Sequence, residues 1–153
     1  MLGFVVGALL MYLLLSLDIL GMLYSGAGER GGEAGRLGPW EIRVLGYDVV
    51  DTSEQGLAGV VYFRRVTVTY RLYNAGSETL TPYTVTPVLV TSTNNTYMEI
   101  PSIQTSMVAP GTSITVTVKF KISQSEEPVE IRFIYVDPET MERREMGFRL
   151  EKT

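Results

Sequence analysis

The chain has 153 residues, with 13 Lys and Arg against 17 Asp and Glu, a net charge of −4 at pH 7. It contains no histidine and no cysteine, which removes imidazole bases, Ser-His triads, thiolate nucleophiles, iron–sulfur clusters and ordinary transition-metal sites. The acidic balance argues against a nucleic-acid partner, which calls for a basic face, and no enzymatic activity, cofactor or metal is expected.

Residues 1–24 are the most apolar part of the chain. Nineteen of the twenty-four are Ala, Val, Ile, Leu, Met, Phe or Tyr, the exceptions being Gly3, Gly7, Ser16, Asp18 and Gly21. As a helix, residues 4–24 would be about 30 Å long at 1.5 Å per residue, the hydrocarbon thickness of a bilayer. The run is apolar on every side rather than along one stripe, so it needs lipid or copies of itself all round. Gly3-x-x-x-Gly7 permits close helix–helix approach. Asp18 is costly in such a segment, about 2.5–3.5 kcal/mol at the bilayer centre. Near the segment's end it can reach the interface; in a bundle of identical helices it needs a neighbour's Tyr12 or Ser16 hydroxyl, or an N-terminal amine. Gly3, Gly7 and Asp18 are the expected helix-packing residues.

Residues 25–39 (SGAGERGGEAGRLGP) contain six glycines and end on Pro39. That composition cannot bury enough surface to offset its ordering entropy, so it reads as a flexible or extended tether.

From Trp40 to Thr153 the hydrophobic period changes to two. Val66, Val68, Tyr70 and Leu72 share one face of their segment; Ile114–Ile122 sends Thr115, Thr117, Lys119 and Lys121 outward. Residues 129–135 and Met146, Phe148 and Leu150 repeat the pattern, the signature of antiparallel strands with one wet face. Turn signals at Glu54-Gln-Gly56, Asn74-Ala-Gly-Ser77, Asn94-Asn95, Pro110-Gly111, Glu126-Glu-Pro128 and Asp137-Pro138 separate them. Seven strands are predicted, at 40–50, 60–73, 83–92, 96–100, 113–122, 129–136 and 145–151. Pro87 predicts an edge or bulged third strand, and Gly46 a bulge in the first, where the apolar face shifts from Trp40, Ile42 and Val44 to Leu45, Tyr47 and Val49. The fold class expected is mainly β: a seven-stranded immunoglobulin-like β-sandwich behind a single long apolar helix.

Few residues in this plan suggest chemistry. Asp48, Asp51 and Glu54, Glu126 with Glu127, and Asp137 with Glu139 are acidic clusters at strand ends. None has the spacing of a calcium loop, and they read as solvated turns. Tyr70 and Tyr135 fall on core faces, Tyr73 and Tyr83 near turns. Asn94-Asn95-Thr96 is a glycosylation sequon on a predicted hairpin tip, which marks Asn94 as the modification site if the domain is extracellular. Asn and Gln total six, and arginine outnumbers lysine ten to three; the scarcity of amides suits a thermophilic source.

A short uninterrupted apolar N-terminal run, a Gly-containing break and a Thr-rich Ig-like domain together resemble archaeal type IV pilins and archaellins. That resemblance implies a helix held in the membrane before assembly and in the filament core afterwards, hence a homo-oligomeric extracellular filament used for adhesion or motility. It also implies removal of a basic leader: no Lys or Arg precedes the run, although Met1 reads as a translation start. Residues 60–136 further resemble small Ig-like extracellular modules through the Asn74-Ala-Gly76 and Pro110-Gly111 turns. The competing expectation is a single-span membrane protein whose Ig-like domain faces outward, stator-like or associated with a surface layer.

Overall fold

A computed structural model of the chain describes residues 34–102 and 106–151. The expected apolar helix, with Gly3, Gly7 and Asp18, lies outside the described residues. The chain divides into two units, Met1–Gly32 and Glu33–Thr153, and the fold belongs to the second.

Eight strands follow one another: β1 (Ala34–Leu37), β2 (Trp40–Gly56), β3 (Gly59–Asn74), β4 (Val85–Thr91), β5 (Thr96–Met98), β6 (Ser113–Ile122), β7 (Pro128–Val136) and β8 (Arg143–Arg149). They form two four-stranded antiparallel sheets, in the orders β1-β2-β3-β6 and β5-β4-β7-β8. Inward residues of both sheets make one core. Trp40, Ile42, Val66, Val68, Tyr70, Leu72 and Phe120 come from the first, and Leu89, Ile131, Phe133, Tyr135 and Phe148 from the second. The alternation read from the sequence is the alternation observed: in β6 every second residue from Val116 to Ile122 is buried and those between are exposed.

The eighth strand is β1, inside the stretch whose glycines predict a tether. Leu37 is buried in the core, and β1 pairs with Trp40–Arg43 across a tight turn. Gly38 makes that turn possible: its φ is +60, and an added Cβ would meet the Tyr135 ring at 2.5 Å. One inward leucine and a permissive turn thus outweigh the flexibility of the surrounding glycines.

Other boundaries move for local reasons. The bulge in β2 falls where Gly46 places it, with the register shifting between Val44 and Gly46. Pro87 does not make β4 an edge strand, since β4 lies between β5 and β7; β4 is irregular, but between Val90 and Thr91 and not at Pro87. The β5 ladder begins only at Val88, so Pro87 sits where β4 is locally unpaired on that side, and its missing N–H costs nothing. The predicted turn at Glu54–Gly56 is instead strand. Gly56 pairs with Gly59, leaving Leu57 and Ala58 as a two-residue turn, and Gly59 has φ +124.

β2 and β3 therefore outrun their neighbours. β1 covers β2 only as far as Arg43, and β6 stops at Ile122, opposite Arg64. Residues 52–63 form a two-stranded ribbon that projects beyond both sheets.

Candidate functional site

The ribbon end of the sandwich gathers most of the polar residues singled out by sequence. The base of the ribbon, the β4–β5 turn at residues 92–95 and the β6–β7 turn at residues 123–127 meet there. Arg64 on β3 fastens two of the three. Its Nε donates to Asp51 Oδ1 at 3.0 Å, and its Nη1 donates to the Glu126 carbonyl at 3.1 Å and to the Glu127 carboxylate. The β4–β5 turn is tied on through Ser92, whose N donates to Glu127 O at 2.8 Å and whose Oγ accepts from Glu127 N at 3.1 Å.

Glu126 is the unusual member. It is only 6% exposed, although an acidic pair in a turn reads as a solvated face. Its Oε2 accepts from Asn95 Nδ2 at 2.7 Å, while Oε1 is buried without a closed hydrogen bond among the hydroxyls of Thr91, Thr93 and Tyr97. Burial alone would push this carboxyl up; the hydrogen-bonding groups of Thr91, Asn95, Thr93 and Tyr97 together outweigh it and hold it below the ordinary carboxylate range. A carboxyl depressed in the folded state contributes stability that is present above its unfolded value, about 4.3. That contribution is lost as pH falls through the folded value. Thermal unfolding of wild type should therefore fall in midpoint below about pH 4, and Glu126→Gln should flatten that acid limb while lowering the midpoint at pH 7. An unchanged acid limb in the variant would assign the pH dependence to other carboxylates, Asp137 foremost. The backbone N–H groups of Glu139 and Thr140 lower the Asp137 carboxyl in an Asx turn.

Asn94 occupies the tip of the β4–β5 turn. Its side chain is exposed and its φ is +66, a conformation that asparagine tolerates better than most residues. The sequon asparagine is thus presented on an open turn at the ribbon end. The acidic clusters disperse. Asp48 and Glu54 lie on one face of β2 and Asp51 on the other, with Asp51 paired to Arg64 and Glu54 to Lys121. Among the described residues no three such side chains converge on one point. Tyr70 and Tyr135 are buried in the core, and Tyr73 and Tyr83 are exposed, as their strand positions predict.

At the opposite end, Asn74 is a second polar residue whose role the sequence hid. It is wholly buried. Nδ2 donates to Glu78 O at 2.7 Å and Val108 O at 2.8 Å, and Oδ1 accepts from Gly76 N at 2.9 Å. Its backbone exchanges bonds with Thr112 O and Gly111 N. The Asn74-Ala-Gly76 and Pro110-Gly111 turns are therefore one structure, stitched by a single side chain and its own backbone. Asn74 bonds locally to Gly76 and Glu78, but its bond to Val108 and the Asn95–Glu126 bond cross 34 and 31 residues, so the burial of neither side chain shows in its own segment.

Chemically, the described ribbon end fastens turns to one another and presents apolar side chains; Asp51, Glu54, Arg64, Lys121, Glu126 and Glu127 are engaged in ion pairs and hydrogen bonds. No protein-family model and no curated protein matches the chain. A crystal structure of a conserved hypothetical protein from Bacillus anthracis is similar at a TM-score of 0.46 and 14% identity, covering 72% of this chain and 91% of that one.

Proposed function

We propose that the protein is the structural subunit of an extracellular surface filament of the archaeal type IV pilus kind, assembled through residues 1–24 and displaying its β-unit outward for adhesion or motility. The observation that carries this reading is the pairing of two unlike parts. An all-round apolar run of bilayer length precedes a β-unit that closes its own core. An immunoglobulin-like assignment for the β-unit is supported by its strand order. With β1 set aside, β2-β3-β6 faces β5-β4-β7-β8, a Greek-key division of seven strands between two sheets.

The alternative is a single-span surface protein, with the same run in the membrane permanently. One observation favours it: the tip of the β2–β3 ribbon leaves Leu57, Val60, Val61 and Tyr62 exposed. The two readings separate on one preparation. Native cell-surface material, imaged by electron microscopy and sequenced from the subunit's N-terminus, is expected to contain filaments built from this chain. Asp18→Leu is expected to alter filament assembly, because a desolvated carboxylate in a helical core needs a neighbour's donor, while membrane insertion of the free subunit persists. Recovery solely as a detergent-extracted monomer, with no fibre at any growth phase, would sink the filament and leave the anchored protein.

A further inference from the structure

We infer that the β2–β3 ribbon is a membrane-contact element whose tip rests in the interface of a lipid bilayer. The inference rests on the membrane placement of residues 1–24, which the anchored protein and the unassembled filament subunit share. Four side chains on the ribbon have no partner surface in the β-unit: Leu57 is wholly exposed, and Val60, Val61 and Tyr62 are 52%, 49% and 62% exposed. Alternation puts Val60 and Tyr62 on one face and Val61 on the other, so the apolar surface wraps the tip. Residues 55–62 carry no charge. The carboxylates nearest the tip, Glu54 and Asp51, are paired to Lys121 and Arg64. A neutral apolar tip bearing a tyrosine, above a base of arginine and lysine, is the chemistry of interfacial insertion.

The register of β1 supplies the direction. β1 runs antiparallel to β2, with Ala34 opposite Arg43 and Leu37 opposite Trp40. The N-terminal end of β1 therefore points toward the ribbon end of β2. Ten residue steps separate Tyr24 from Ala34, at most about 35 Å of fully extended chain, so Ala34 can stand no farther than that from a bilayer surface reached at residue 24. From the level of Arg43 to the ribbon tip, β2 extends about 40 Å at 3.3 Å per residue. That length of β2 exceeds the reach of the chain between residues 24 and 34, so a ribbon directed at the membrane reaches it. A second copy of the chain suits the tip less well. Four side chains fall far short of the roughly 800 Å² per partner of a stable interface, whereas a segment already held at the surface needs only a small apolar area to stay there.

The absence of cysteine allows a direct test on the full chain. Ala58→Cys at the ribbon tip and Ser77→Cys at the far end are each labelled with an environment-sensitive fluorophore. The proteins are reconstituted into vesicles of phosphatidylcholine and phosphatidylglycerol, with and without a quencher on the acyl chains. The tip probe is expected to shift to the blue and lose intensity to the lipid quencher, the Ser77 probe to do neither, and Leu57→Asp to abolish both responses at the tip. Co-flotation with vesicles while the tip probe stays in water would overturn the ribbon's role and leave the anchor standing. A blue shift without lipid quenching would overturn it in favour of a protein occupant, such as a second copy. Failure to float would overturn the membrane placement of residues 1–24 itself.

Discussion

Phe133→Ala is expected to destabilise the β-unit by about 3–5 kcal/mol, the range for truncating a buried aromatic residue. Phe133 on β7 is wholly buried. Its ring meets Tyr70, from the other sheet, edge-on at 4.7 Å between centroids, and Phe148 at 5.7 Å. It is thus the middle of a three-ring stack that joins the two sheets. Edge-to-face pairs of this kind contribute beyond their buried area, and the substitution removes two of them while opening a cavity between layers that cannot collapse far. Against a total stability of about 5–15 kcal/mol, the loss leaves a marginal fold. Urea unfolding of wild type, Phe133→Leu and Phe133→Ala should show midpoints falling in that order with a common slope. A shift under about 1 kcal/mol for the alanine variant would mean that the sheets do not meet through this ring.

Asn74→Ala is expected to cost about 2–4 kcal/mol, since an orphaned buried polar group costs roughly 1–3 kcal/mol. The substitution strips the Glu78 and Val108 carbonyls of their donor and the Gly76 N–H of its acceptor. Asn74→Asp gives a sharper reading of the same network. A carboxylate still accepts from Gly76 N–H but cannot donate to either carbonyl, and burial of its charge pushes its pKa up. The variant should therefore lose stability as pH rises through that pKa, where wild type does not. Thermal melts of both variants between pH 4 and 8 decide the matter; an Asp variant with a wild-type pH profile would place Asn74 in contact with water.

What the sequence disclosed and what it withheld divide along one physical line. Strand identity was legible because each strand states its own pattern: Thr115, Thr117, Lys119 and Lys121 announce the wet face of β6 without reference to any other part of the chain. Gly46 likewise announced its bulge, through a face shift written in adjacent residues. Strand β1 was not legible, because its four residues carry one inward side chain, Leu37, amid glycines that dominate any local average. The roles of Asn74 and Glu126 were hidden for a different reason. Asn74 closes strand β3 and Glu126 lies in a turn, and what buries them includes segments distant in the chain. The ribbon combined the two difficulties: Glu54-Gln-Gly56 has turn composition, and the pairing of Gly56 with Gly59 that extends both strands shows only in the sheet.

Strand β1 also decides how the molecule takes a mechanical load. Any tug transmitted through residues 25–33, whether by flow on a fibre or by attachment to another surface, enters the β-unit at Ala34. When the tug acts along the strand axis, the four β1–β2 pairs share it in shear, so they must slip together and cannot be peeled one by one. Behind them stand Leu37, plugged into the core, and Trp40, wholly buried with its indole N–H bonded to Thr84 Oγ1 at 2.8 Å. Yielding would have to draw Leu37 out of the interior before tension reached the turn at Gly38. A short strand that adds little to the area of the sheet is in this sense the clasp by which the β-unit holds the chain that precedes it.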